Sequence, residues 1–158
     1  MAHKKILVAL DGSEGSFTAL DEAVLLAGVC GGNLHSVSVV EIPHYPETMD
    51  EIVDAQEEAE AKFQPALRKA RNIAADEGIE LHTTALVGHE VKSIVEFIKR
   101  EHFDLLVIGF MGHSALYDRV MGSTCQALVR LAPCSVLVVK QKGQMSDGSE
   151  GSRNERLE

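Results

Sequence analysis

The sequence predicts a single parallel α/β domain. Three observations lead there. Short apolar runs alternate with longer helix-patterned runs as far as about residue 140. The short runs are near-continuous Val, Ile and Leu, as strands covered on both faces should be. And 158 residues suffice to close one core without disulfides or metal.

The first strand is expected over residues 6–10, ending at Asp11-Gly12-Ser13, a turn and helix-start signal. Phe17, Leu20, Val24 and Ala27 then share one helical face, and Gly31-Gly32-Asn33 closes that segment. A second strand is expected over residues 34–42. It stops at Pro43-His44-Tyr45-Pro46, because Pro lacks the N–H that a central strand needs. Residues 49–77 have helical spacing at Ile52, Val53, Phe63, Leu67, Ala70 and Ile73, with a kink or break expected at Pro65. Gly78 ends that helix, and residues 79–86 alternate like a half-buried strand. Val91, Ile94, Val95 and Ile98 mark a third helix, and residues 105–108 a fourth strand. Cys125, Leu128, Val129 and Ala132 mark a fourth helix, and residues 136–139 a fifth strand. Strict alternation of this kind implies helices on both faces of a parallel sheet. Ligands of such sheets sit beyond the carboxyl ends of the strands, so the loops after Leu10, Val40, Leu86 and Ile108 are the places to look.

Composition narrows the function. A net charge of −9 argues against a nucleic-acid or anionic-membrane partner, since both need a concentrated basic face. The three cysteines, Cys30, Cys125 and Cys134, form no C-x-x-C and fit reduced thiols. The first residues run straight into a strand, with no apolar stretch of secretory or membrane-spanning character. A soluble, cytoplasmic protein is expected. Residues 141–158 carry Gly, Ser, Asp, Glu and Arg with almost nothing apolar, and are expected to form a disordered tail after a domain spanning 1–140.

The stretch richest in chemistry is Gly109-Phe110-Met111-Gly112, followed after nine residues by Gly122-Ser123. It leaves a strand and opens a helix. Gly109 lets the chain turn with no Cβ in the way, and Gly112 allows a phosphate to approach bare backbone. Gly122 and Ser123 present amide N–H groups and a hydroxyl at a helix N-terminus, where the unpaired donors and the helix dipole favour an anion. The alternative is that all three glycines only make tight turns. Asp11 likewise has two readings, as a ligand of a ribose hydroxyl or as a cap of the first helix together with Ser13.

These residues and their surroundings resemble the universal stress protein family. The likeness spans about residues 3–140. It includes Ile6-Leu7-Val8-Ala9-Leu10-Asp11-Gly12-Ser13 and Ala132-Pro133-Cys134-Ser135-Val136-Leu137-Val138-Val139. The family's ATP-binding branch carries G-x2-G-x9-G-(S/T), which Gly109, Gly112, Gly122 and Ser123 match in full. The resemblance implies a three-layer α/β/α fold of the adenine nucleotide alpha hydrolase-like kind, with strand order 3-2-1-4-5. It implies ATP or AMP as ligand, with Mg2+ able to arrive on the phosphates. It implies that Ala9 and Asp11 lie near the adenosine, that Val39 offers backbone to the adenine, and that Ile108 flanks the nucleoside. Gly109, Gly112, His113, Gly122, Ser123 and Thr124 would surround the phosphates. It further implies a homodimer through the fifth strand, Val136 to Val139, and a regulatory or sensor role in stress response.

Two departures predict modest phosphate affinity. His113 stands where the family often has a basic residue, and a histidine is mostly neutral near pH 7 unless an anion raises its pKa. Asp118 adds negative charge to the loop, with Arg119 beside it. There is no Walker A lysine, no Ser/His/Asp or Cys/His arrangement, and no histidine spacing suited to zinc. Phosphoryl transfer needs a metal clamp and a placed nucleophile. The expectation is therefore a binding protein with at most slow ATP hydrolysis. A nucleotide-free interaction scaffold and a slow ATPase are the alternatives.

Overall fold

The computed structural model describes residues 4–41, 47–110 and 121–141. The expectations for Ile42, for the 43–46 loop, for Gly112, His113, Asp118 and Arg119, and for the tail beyond Gln141 lie outside these residues.

The elements are β1 (Lys5–Ala9), α1 (Glu14–Cys30), β2 (Asn33–Val40), α2 (Met49–Asp76), β3 (Leu81–Val87), α3 (Glu90–Glu101), β4 (Leu105–Gly109), α4 (Ser123–Leu131) and β5 (Ser135–Val139). All strand pairs are parallel, in the order β3-β2-β1-β4-β5. The α/β class and the order 3-2-1-4-5 are as predicted. The strands are apolar on both faces because helices cover both. Ile6, Val8, Leu34 and Val107 pack with α1 and α2, whereas Leu7, Val37, Leu106 and Ile108 pack with α3 and α4.

Helix ends follow the local chemistry. Ser13 caps α1 by accepting from the Ser16 amide, and Gly31, at φ +66°, ends it in the left-handed conformation that glycine adopts freely. Thr48 and Glu51 form a capping box on α2.

The break expected at Pro65 does not occur, and α2 runs through it. A proline removes the bond to the carbonyl four residues earlier, here that of Ala61. Both residues are exposed, so water can satisfy that oxygen. Pro65→Ala should restore the bond at no cost in packing. We expect it to stabilise the protein by about 1–2 kcal/mol, after allowing for the freer unfolded chain. Urea denaturation would read this as a higher midpoint at unchanged slope.

Three residues assigned to buried helical faces are exposed: Ile52 (48%), Val53 (50%) and Val129 (45%). For the first two the reason is length. At 1.5 Å per residue α2 is about 42 Å long, whereas an eight-residue strand spans about 26 Å. The first turns of α2 therefore overhang the sheet, and burial begins only at Ala59.

In the first half of the sheet His35 of β2 lies in register with His82 of β3, their rings 4.8 Å apart. Phe103 meets His35 edge-on at 5.1 Å, and the Lys5 ammonium sits over the Phe103 ring. Burial lowers the His35 pKa, and the neighbouring His82 and Lys5 lower it further, against a smaller upward pull from Glu101. As pH falls below about 6.5 the unfolded chain takes up this proton before the folded one does. Stability should thus be full above that pH and decline as pH drops toward the folded-state value. Thermal melts from pH 7.5 to 5 would show this slope, and His35→Gln should flatten it.

Candidate functional site

From β1 the chain steps outward through β2 to β3, and from β4 it steps the opposite way to β5. The reversal falls between the paired strands β1 and β4. The helices that follow these strands pack on opposite faces, and in open parallel sheets such a reversal is where ligands bind, beyond the carboxyl ends. Apart from Gly112 and His113, every predicted site residue belongs to this edge: Ala9 ending β1 and Asp11 after it, Val39 on β2, Ile108 and Gly109 ending β4, and Gly122, Ser123 and Thr124 opening α4.

On the β1 side Gly12 takes φ +84°, and the Asp11 Oδ1 accepts from the Ser13 amide at 2.9 Å. Asp11 therefore braces Ser13, and Ser13 is the residue that caps α1. Ala9 and Val39 are half-buried on the α3 and α4 face. The buried Ser38 hydroxyl donates to the Leu10 carbonyl at 2.6 Å and ties the upper ends of β1 and β2 together.

On the β4 side Ile108 is buried among α3 and α4 residues. Gly109 has no positive φ, yet a Cβ there would stand 2.7 Å from the Gly15 carbonyl oxygen and 2.9 Å from its carbon. Its smallness serves the close approach of β4 to the first turn of α1. Gly122 differs. Its φ of −57° and ψ of 148° suit any residue, and among the described residues a Cβ would come close only to the Phe110 oxygen, at 3.8 Å. Neither its conformation nor its packing against the described residues requires glycine there.

The N-terminus of α4 is also unlike the other three. Ser13, Thr48 and His89 each cap their helix with a side chain, whereas Gly122 offers none. The Gly122 amide donates to the Phe110 carbonyl at 3.2 Å, and its own carbonyl accepts from Gln126 at 3.0 Å. Ser123 at the first helical position is exposed, and Thr124 is half-buried. A helix start of this kind presents amide donors and the positive end of its dipole.

Sequence reasoning missed three charged neighbours. The Glu90 carboxylate, at the start of α3, accepts from the Thr124 hydroxyl at 3.4 Å. The Glu41 carboxylate accepts from the Glu90 amide at 3.0 Å. The Lys140 ammonium lies 5.1 Å from the centre of the Phe110 ring. Glu41 follows β2 directly and Glu90 opens α3 just after β3, so their positions beyond strand ends were the available signal. Burial pushes the Cys125 and Cys134 thiols up, which leaves neither poised as a thiolate. Among the described residues no group of three or more His, Cys, Asp or Glu is gathered for a metal. The edge as described can hold an anion beside an apolar group.

A sequence profile described as the Universal stress protein family matches residues 2–140. The chain belongs to the universal stress protein family. A universal stress protein of Methanocaldococcus jannaschii is 31% identical over 143 residues, covering 88% of this chain and 83% of the relative. The solved universal stress protein UspA from Lactobacillus plantarum superposes with a TM-score of 0.75 at 29% identity, over 88% of this chain and 99% of that one. A crystal structure of a universal stress protein in complex with cAMP gives a TM-score of 0.70 at 25% identity, over 88% and 98%. In this universal stress protein no described helix is long and apolar enough to cross a membrane.

Proposed function

We infer that this universal stress protein binds an adenine nucleotide, ATP or AMP, in the crevice between β1 and β4 and acts as a sensor rather than an enzyme. The observation that carries this is the α4 N-terminus, opened by a glycine that neither its backbone angles nor the described residues around it demand, and that offers no side-chain cap. Bare amides and a helix dipole are what a phosphate needs. The solved relative in complex with cAMP supports adenine as the base. In this reading Ala9, Asp11, Val39 and Ile108 contact the nucleoside. Gly109, Gly112, His113, Gly122, Ser123 and Thr124 surround the phosphates, which would carry any Mg2+ with them.

The sensing form is a homodimer joined along β5. That strand is a sheet edge whose apolar residues Val136 to Val139 are only half-buried, and Val129 and Leu131 are exposed on the preceding helix. Unpaired apolar edges invite pairing. Native mass spectrometry of the purified protein tests both parts. The expected species is twice the 17.1 kDa chain mass with adenine nucleotide bound. A dimer that takes up no nucleotide at millimolar ATP or AMP would favour the scaffold reading instead. A monomer would remove the β5 interface.

A further inference from the structure

We propose that His35 and His82 act as an acid-sensitive latch, holding the amino end of β3 to β2 when neutral and releasing it when charged. β3 ends the sheet, and among the described strands it pairs with β2 alone. The two histidines stand in register across that pairing, with ring centres 4.8 Å apart. They share the face of β2 that Val37 turns toward α3. Neutral imidazoles can stack at that distance, whereas two imidazoliums repel each other.

The surroundings offset only part of that repulsion. From β1 the Lys5 ammonium reaches the same cluster, 4.8 Å from the centre of the Phe103 ring that meets His35 edge-on. The end of α3 brings one carboxylate, Glu101, with one oxygen 3.7 Å from Lys5 and the other 3.5 Å from Arg100. The Asp104 carboxylate accepts from the Lys4 and Lys5 amides. Glu80, two residues before His82, is exposed, so solvent screens it. The balance at His35 is against a proton: burial, then His82 and Lys5, outweigh the pull of Glu101.

Opening the β2–β3 contact lets the rings charge, so acid favours the open form. The loss begins as pH falls below about 6.5, the value of an unrestrained histidine, and deepens toward the folded-state value. From α2, Arg71 donates to the Thr83 hydroxyl at 3.1 Å and Gln56 to the Ala85 carbonyl at 2.8 Å. Neither side chain titrates in this range, so α2 keeps its hold and the carboxyl end of β3 stays closed. A released amino end leaves unpaired backbone groups on the β2 edge, where another strand can add.

Hydrogen exchange of the full chain, read by NMR from pH 7.5 to 5 at low salt and corrected for intrinsic rates, is the test. Protection of amides 81–84 should fall at least about fourfold further than that of β1 and β4, the floor set by two unit charges this far apart in bulk water. His82→Gln and His35→Gln should each remove that excess. His82 is exposed, so its variant keeps the fold even where His35→Gln does not. His89→Asn, at an exposed histidine that caps α3, should leave the excess intact. Equal losses in β3 and β1 would make the effect global and overturn the latch. So would an excess loss that survives His82→Gln.

Discussion

Gly109→Ala should lower the stability of the domain by about 3 kcal/mol, which for a chain of this size is a fall in Tm of about 6–12 °C. The cause is one methyl group. Its carbon would stand 2.7 Å from the Gly15 oxygen and 2.9 Å from the Gly15 carbon, separations that real Cβ atoms essentially never show. A flexible side chain could swing aside, but both partners here are backbone. Gly15 is buried in the first turn of α1, and that turn is pinned. The Ser16 hydroxyl donates to the Ser13 carbonyl at 2.8 Å, and the Ser13 amide bonds to Asp11. Gly109, for its part, ends β4 in register with Val139. Relief therefore requires β4 and α1 to separate, which would loosen the buried side chains between them. Calorimetric melting measures the effect directly. An unchanged Tm would mean that β4 and α1 do not meet as described. Gly109→Val would for the same reason test folding rather than binding.

Gly122→Val should do the opposite, leaving the fold standing and removing nucleotide affinity by at least tenfold, or about 1.4 kcal/mol. Its backbone angles are open to valine, and the nearest atom of the described residues to a new Cβ is 3.8 Å away. The stability cost is that of a poorer N-cap, about 0.5–1 kcal/mol. The binding cost follows from the proposed site, where branched methyls would stand over the first amides of α4 and hold a phosphate at a distance. Titration of ATP and AMP, alongside a melt to verify the fold, separates the two effects. Full affinity in Gly122→Val would place the phosphates elsewhere. The two glycines look equivalent in the motif, and the pair of variants asks whether they share a role.

Much of the fold was legible because its signals are local. The switch from apolar runs to helical spacing gave every element in order. Ser13, Gly31 and Thr48 end their helices through bonds reaching only a few residues along the chain. Some signals misled because the deciding contact was solvent or geometry beyond the local pattern. Pro65 reads as a breaker, yet its freed carbonyl partner is exposed and α2 continues. Ile52 and Val53 read as core, but the helix outruns the sheet that would cover them. The second strand ends at Val40 rather than further on, and the third begins at Leu81 rather than at Ile79.

By itself, the sequence determined the α/β class, the number and order of the elements, and the concentration of candidate residues after Leu10, Val40, Leu86 and Ile108. Those follow from period, turn chemistry and charge, all properties of neighbouring residues. Only the tertiary structure decided what each residue does there. It set Gly109 against Gly15, gave Gly122 backbone angles open to any residue, and brought Glu90 to Thr124 across 34 positions of chain. The physical reason is that a steric or electrostatic contact falls off over a few ångströms in space. Separation along the chain does not fix that distance until the sheet has folded.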